Sequence, residues 1–281
     1  MRRDASVAST ARIMQMCVHQ VMAELAITFL GTGTSQGVPF VGCDCAVCRS
    51  PDPRDQRLRS SILVEAHGTV FIVDTTPDLR TQALRHGLRR LDAAVFTHSH
   101  TDHVAGFDDL RRFCDLSDRP MPVHASPHTM ADLRRMFYYA FDGQHAFRNY
   151  VRPQPHEITG PFQIGPVKIM PAEVPHGRML VNGYIFSVGG RKLAGYFSDC
   201  HHVPPEVVSQ LRNIPLLIID ALRHEPHPSH LSLGEALAVA ADACAQATLL
   251  THIGHDLGHE ATTKLLPPGV RLAHDGLRVE I

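Results

Sequence analysis

The sequence predicts a single α/β domain in which two mixed β-sheets pack together with helices outside. Three observations point there. Short apolar strand patterns come in runs and also alternate with helical patterns, as stacked mixed sheets require. No repeat, low-complexity tract or shift of composition divides the chain. Its 281 residues suit one large domain, or two small ones at roughly 100–200 residues each, and can bury a sizeable core.

Residues 1–24 read as a flexible or helical extension, and 25–281 as the domain. Arg2 and Arg3 faintly resemble a signal n-region, but no unbroken apolar core follows, and Met14, Met16 and Met22 are alternative starts. Ala26 to Leu30 is expected to be a strand running into the glycine-rich loop Gly31 to Gly37. Residues 42 to 60, rich in Cys, Asp, Pro and Arg, read as a loop. Ser61 to Glu65 and Thr69 to Val73 read as a hairpin turning at His67-Gly68. A helix over Leu79 to His86 ends at Gly87.

Ala93 to Phe96 is a short buried strand, then Gly106 to Cys114 a helix, Pro122 to Ala125 a strand and Pro127 to Phe141 a helix. The stretch from Asp142 to Gly160 has no period and reads as a loop or lid. Strands follow over Phe162 to Pro171, Asn182 to Val188 and Lys192 to Phe197. Then come a helix at Pro204 to Arg212 and a strand at Leu216 to Ile219. Ser232 to Ala245 is an amphipathic helix with Ser232 as N-cap and Glu235 at the capping-box position. Ala247 to Thr251 and Arg271 to Ala273 are the last strands.

Composition narrows the function classes. The net charge of −1 gives no global attraction to nucleic acid or membrane. Trp is absent and Tyr scarce, so the aromatic platform of a single-strand binder is missing. No apolar run approaches the roughly 20 residues that span a bilayer. Seven cysteines, three of them within six positions, argue against a secreted disulfide framework. They suit reduced thiols and metal binding in a cytoplasm.

The 20 histidines cluster with aspartate, most densely in Thr97-His98-Ser99-His100-Thr101-Asp102-His103. Imidazole and carboxylate suit zinc, manganese and iron. His98 and His100 can point to one side of an extended segment, while Asp102 and His103 face a second ion after a turn. A lone histidine would be an ordinary polar side chain; four ligand-type residues at a strand end form one local unit.

His98-x-His100-x-Asp102-His103 resembles the HxHxDH signature of the metallo-β-lactamase superfamily. The resemblance covers residues 25 to 281 and implies an αβ/βα sandwich with two divalent ions. It implies that His98, His100 and His176 hold one ion, that Asp102, His103 and His252 hold the other, and that Asp199 bridges both. His176 stands in Val174-Pro175-His176-Gly177, Asp199 in Phe197-Ser198-Asp199, and His252 after Thr248 to Thr251.

Cys43-x-Cys45-x-x-Cys48 offers three thiolates. With a fourth ligand they would close a structural zinc site; free thiols or a redox pair are the alternatives. His255, three residues after His252, is the best fourth ligand. Gly31-Thr32-Gly33-Thr34-Ser35-Gln36-Gly37-Val38-Pro39 followed by this Cys loop resembles the phosphoribosyl 1,2-cyclic phosphate phosphodiesterase group, the PhnP type. The pyrroloquinoline quinone biosynthesis protein B group carries a similar loop.

Arg223 to Ser232 is a second histidine-rich loop. It opens the capped helix, whose N-terminus favours an anion. A polar capping loop is the plain interpretation. The resemblance implies that His230 contacts substrate phosphate or protonates the leaving oxygen, with His227 a further substrate contact. Asp74, after a strand, either orients a ligand histidine or is a turn carboxylate, and Asp78 shares that segment. The glycine-rich loop lacks a Walker lysine and reads as a turn beside the site. Cys17, Cys114, Cys200 and Cys244 read as ordinary thiols.

The function that the resemblance implies is hydrolysis of a small cyclic phosphate, such as 5-phosphoribosyl 1,2-cyclic phosphate. A metal-bridging hydroxide would attack phosphorus, His230 would protonate the leaving oxygen, and Asp102 would share proton duties. The expected partner is a small phosphorylated sugar, with no nucleic acid or membrane, in a cytoplasmic homodimer. The ions would be manganese or zinc, with iron also suited, plus one structural zinc. Ribonuclease Z-like processing, a thiolesterase or lactonase, and a quinone-cofactor biosynthesis protein are the alternatives.

Overall fold

The computed structural model describes residues 23–143 and 149–281. The readings for residues 1–22 lie outside the described residues. Backbone ties begin at Glu24 and Leu25, whose amides donate to the Ile281 carbonyl at 2.8 and 3.2 Å.

The strands are β1 (Ala26–Gly31), β2 (Ser61–Ala66), β3 (Thr69–Val73), β4 (Ala93–Val95), β5 (Met121–Ala125), β6 (Pro153–Glu157), β7 (Phe162–Ile164), β8 (Val167–His176), β9 (Met179–Val188), β10 (Arg191–Phe197), β11 (Leu216–Asp220), β12 (Ala247–Thr251), β13 (Val270–Leu272) and β14 (Arg278–Glu280). One sheet runs β14-β1-β2-β3-β4-β5-β6 and the other β13-β12-β11-β10-β9-β8-β7. Both are mixed. β3 through β6 pair in parallel, as do β10 through β13, and the remaining neighbours are antiparallel.

Side-chain alternation builds three apolar layers. Ile27, Phe29, Phe71, Tyr184, Phe186, Tyr196 and Ile218 meet between the sheets. Leu30, Ile72, Phe96 and Phe107 pack under the helices of the first sheet, and Leu217, Ile219, Leu231 and Ala236 under those of the second. Leu216 to Ile219 is therefore apolar at every position, because β11 is covered on both faces. The β2–β3 hairpin turns where expected, with His67 and Gly68 both at positive φ, 45° and 82°, the geometry of a type I′ turn. Ser232 and Glu235 form the expected capping box ahead of the helix Leu233–Asp242.

The structure corrects several element readings. The 142–160 stretch contains an edge strand, β6, hidden in sequence because Pro153–Glu157 is largely exposed and carries two prolines; edge strands tolerate proline. The single strand expected over 162–171 is two, since Gly165 at φ +54° folds a hairpin that pairs Ile164 with Val167. The helix expected over 106–114 is a 3-10 turn, Phe107–Leu110, followed by the helix Arg111–Ser117. The next helix breaks at Phe137, between Pro127–Met136 and Tyr138–Phe141. β14 and the helix His259–Thr263 were not anticipated.

What matters for function is the strand polarity. The parallel strands β3, β4, β10, β11 and β12 deliver their C-terminal ends to one edge of the sandwich, the usual place for a site in parallel sheets. Asp74, His98, Asp199, Asp220 and His252 stand at those ends.

Candidate metal centre

Local backbone explains how each side chain arrives. His98 follows β4 through Phe96 and Thr97 and is buried. His100, exposed at the mouth, caps the four-residue helix Thr101–Val104, which carries Asp102 and His103. His176 is the last residue of β8. Asp74 and His252 adopt left-handed backbone, at φ +67° and +55°. Such conformations cost roughly 1–3 kcal/mol outside glycine and concentrate at functional sites.

Two clusters result. The ligand atoms of His98, His100 and His176 lie within 4.8 Å of one another, as do those of Asp102, His103, Asp199 and His252. Asp199 lies between them. Its Oδ1 is 3.2 Å from His103 Nε2, and its Oδ2 is 3.3 Å from His252 Nε2 and 3.9 Å from His176 Nε2. Asp102 Oδ2 is 3.2 Å from His103 Nε2 and 3.8 Å from His252 Nε2. Ligands bonded to one ion at about 2.0–2.2 Å stand about 3.0–3.6 Å apart, close to this spacing. His98 Nε2, His103 Nε2, His252 Nε2 and Asp199 Oδ1 are buried without a hydrogen-bond partner. Such orphan atoms are rare in folded proteins. Converging on one space, they form a donor set for divalent cations.

The opposite ring nitrogens are held from behind. His103 Nδ1 is 2.7 Å from Asp74 Oδ2, and Asp74 also accepts from the Thr97 amide and hydroxyl, each at 2.8 Å. His176 Nδ1 donates to the Ser229 carbonyl at 2.7 Å. Each contact fixes the ring and leaves the Nε2 lone pair facing the cluster. Of the two readings of Asp74, the structure favours the orienting one. Asp78 instead pairs with Arg59 at 3.1 Å.

Electrostatics agree with that demand for positive charge. Burial alone would depress His103 and His252, but the surrounding carboxylates outweigh it. They hold His103 well above the usual range and His252 up at about 9. Burial works against Asp199 as a carboxylate, yet His103 and His252 hold it ionised well below the ordinary range. His98, with burial and the His103 charge against it, stays neutral. The same field favours a bound cation.

A residue that sequence reading missed completes the floor. Asp220, the last residue of β11, is fully buried. Its Oδ2 accepts from the Cys200 amide at 3.1 Å and pairs with His230 Nδ1 at 2.7 Å. Its Oδ1 has no partner and faces His252 Nδ1 at 4.0 Å. The signal was available: like Asp74 and Asp199, it is a carboxylate at the end of an apolar strand. His230, with 11% of its side chain exposed, stacks on the His252 ring at 4.5 Å and meets the His176 ring edge-on at 4.6 Å. Burial pushes Asp220 up and His230 down to about 3. Both directions favour one shared proton over a separated ion pair. His227 lies farther out, its ring 5.2 Å from that of His230.

A second cluster lies at the other end of the His252 loop. His255 Nδ1 is 3.3, 3.7 and 3.4 Å from the sulfurs of Cys43, Cys45 and Cys48. Zinc bonds of about 2.3 Å to sulfur and 2.0–2.1 Å to nitrogen in a tetrahedron place S and N about 3.5 Å apart. The Cys48 amide donates to Cys45 Sγ at 3.4 Å, which lowers the Cys45 thiol pKa. Burial raises that of Cys48 to about 11, a cost that a bound cation would offset. Phe40 stacks on His255 at 3.9 Å. The glycine-rich loop is a backbone turn beside both clusters, with the Thr34 amide on the Ile253 carbonyl at 3.1 Å. Cys114 and Cys200 are buried and Cys244 exposed. Among the described residues, no helix is long and apolar enough to cross a membrane.

Comparison with known proteins places this geometry. Residues 69–253 match the model of the beta-lactamase superfamily domain. The crystal structure of a diphosphatase from the PhnP family is 40% identical, covering 92% of this chain and 97% of that one, with a TM-score of 0.84. An octanoyltransferase of Porphyromonas gingivalis is 34% identical over 266 residues, 90% of this chain. This chain spans only 51% of that relative's length. Zinc-bound PqqB of Methylobacterium extorquens shares the fold at 21% identity, a TM-score of 0.73 and coverage of 91% and 100%. The chain belongs to the metallo-β-lactamase superfamily of metal-dependent hydrolases, in its PhnP-like group.

Proposed function

We propose that this protein is a dinuclear phosphodiesterase that opens a small cyclic sugar phosphate, with 5-phosphoribosyl 1,2-cyclic phosphate as the representative substrate. The observation that carries the reading is the pair of ligand clusters with Asp199 between them, a member of one and 3.9 Å from His176 of the other, and His230 beside them. The 40% identity to a diphosphatase supports phosphorus as the electrophile.

In this reading His98, His100 and His176 hold one ion, Asp102, His103 and His252 the other, and Asp199 both. Manganese, zinc and iron all suit this His/carboxylate set. Divalent ions held there would supply a water nucleophile at neutral pH and positive charge for the phosphoryl oxygens. The chain supplies the rest. Asp74 and the Ser229 carbonyl orient the His103 and His176 rings. His230 gives its Nε2 proton to the leaving sugar oxygen while the proton it shares with Asp220 settles on Nδ1 and leaves Asp220 a carboxylate. Asp102 shares proton handling, and His227 contacts substrate at the rim. Cys43, Cys45, Cys48 and His255 hold a structural zinc. A cytoplasmic homodimer without a nucleic-acid or membrane partner belongs to the same proposal.

A second reading has one observation behind it, the similarity to an octanoyltransferase over most of this chain. It places the reacting atom at an acyl carbon, as in a thioester. The test assays metal-replete protein on the cyclic phosphate, a linear phosphodiester, a diphosphate, precursor tRNA and an octanoyl thioester, with metal analysis of the same sample. The proposal expects the highest kcat/KM on the cyclic phosphate. Preference for the thioester replaces it with the second reading, and preference for tRNA with RNA processing.

A further inference from the structure

We infer that Arg57 is a positioning residue that locks the two metal centres together, so that zinc at the Cys/His cluster tightens binding at the His/Asp cluster. The inference rests on the metal-dependent reading above and goes beyond it, because it links two sites otherwise independent.

The link is short. His252 and His255 lie three residues apart, a span of at most about 11 Å even if fully extended. Backbone ties fix the residues between them. The Ile253 amide donates to the Thr32 carbonyl at 2.8 Å, and the Gly254 amide to the Leu222 carbonyl at 2.8 Å. A Cβ on Gly254 would lie 2.8 Å from that same Leu222 carbonyl oxygen, so the close approach requires glycine.

Arg57 holds the far side. Its side chain is 0% exposed, an expensive place for a charge without full pairing. Nη1 donates to the Gly254 carbonyl at 2.8 Å, and Nη2 to the Leu257 carbonyl at 2.7 Å and to Asp55 Oδ1 at 2.8 Å. Nε donates to the Arg54 carbonyl at 3.2 Å. Asp55 Oδ1 in turn accepts from the His259 amide at 2.8 Å. One guanidinium thus brackets His255 between two of its acceptors.

The backbone of the same residue grips the cysteine loop. Arg57 and Val38 exchange both amide–carbonyl bonds at 2.8 Å. Two residues on, the Phe40 amide donates to Cys48 Sγ at 3.3 Å and the Phe40 ring stacks on His255. Arg57 therefore stands where the cysteine loop, the His255 turn and the His252 strand end meet. A tetrahedral ion pulling on His255 acts on a segment that can yield little without moving His252. Coupling of this kind is reciprocal, and typically 5- to 150-fold in affinity.

The experiment titrates Mn(II) at the His/Asp cluster by electron paramagnetic resonance in the full-length protein, with zinc at the cysteine cluster and after an organomercurial has stripped it. The expected result is an Mn(II) affinity about tenfold weaker without zinc. Arg57→Lys keeps the charge but cannot reach both carbonyls, so it should weaken Mn(II) by about the same factor while one zinc per chain remains. A residue that only stabilised the fold would lower the melting temperature and leave the Mn(II) affinity alone. Affinity unchanged within about twofold after zinc removal overturns the inference and leaves the hydrolase reading intact. Failure of the His/Asp cluster to bind Mn(II) or zinc at all overturns both. If Arg57→Lys does not fold, the zinc-stripping comparison decides alone.

Discussion

Replacing His230 with alanine separates proton donation from metal holding. His230 stands beside the four-residue cluster of Asp102, His103, Asp199 and His252, not within it. Its side chain is hydrogen-bonded to Asp220 at 2.7 Å. Loss of a positioned general acid costs about 10²- to 10⁴-fold in rate, or roughly 3–5 kcal/mol of barrier. That cost should depend on the leaving group, because a good leaving group needs no proton. The assay compares an alkyl phosphodiester with its 4-nitrophenyl counterpart at matched metal content. His230→Ala should lower kcat on the alkyl ester by about 10²- to 10⁴-fold and on the nitrophenyl ester by less than about tenfold. The reasoning has a specific weak point: the His230 ligand atom also lies within 4.8 Å of those of His176 and Asp199. Equal losses on both esters, together with loss of one metal, would reassign His230 as a ligand and refute the acid role.

Three further outcomes follow from the contacts. Asp74→Asn should reduce metal affinity at the His103 cluster by about 10- to 100-fold, read by competition with a chromogenic chelator; an unchanged affinity would contradict the orienting role. Cys48→Ser should lose zinc from the cysteine cluster and lower Tm by about 5–10 °C, a loss of roughly 3 kcal/mol in a chain of this size; one retained zinc per chain at wild-type Tm would count against a structural site. His124, whose ring stacks on His156 and Phe162, is depressed to about 4 by burial and then by neighbouring His156, against about 6.5 unfolded. The unfolded chain therefore binds the extra proton, so stability is full above about pH 6.5 and falls as pH drops toward 4. The ceiling is roughly 3.4 kcal/mol, and solvent at the half-buried ring reduces it to about 1–2 kcal/mol. His124→Phe should flatten that part of the urea-midpoint profile between pH 7 and pH 5, and a profile parallel to wild type would contradict it.

Much of the centre was legible in the sequence because its ligands sit where strands stop. His98 to His103 follow an apolar run and were visible as one local unit, whereas His176, Asp199 and His252 were assigned through the family resemblance, with their places after strand patterns in support. The cysteine spacing was local and therefore visible, and His255 followed from its proximity to His252. Asp220 obeys the same rule but is hard to see, because the apolar run ends at Ile219 and the strand continues one polar residue beyond it. Arg57 was invisible for a different reason: its acceptors are carbonyls 197 and 200 residues away, and nothing in a sequence marks a carbonyl as waiting for a partner. β6 escaped because an exposed edge strand bears no apolar alternation, and the 162–171 hairpin because its turn is only the two residues Gly165-Pro166 between apolar positions.

The central claim is that the two clusters sharing Asp199 hold the ions on which hydrolysis depends. The most direct measurement removes all metal from the protein, verifies its absence, and restores metal stepwise while phosphodiesterase activity and bound metal are read on the same samples. The account predicts no activity in the metal-free protein, and recovery that tracks filling of the His/Asp clusters after the cysteine cluster has taken its zinc. Full activity in protein verified to contain no metal would contradict it.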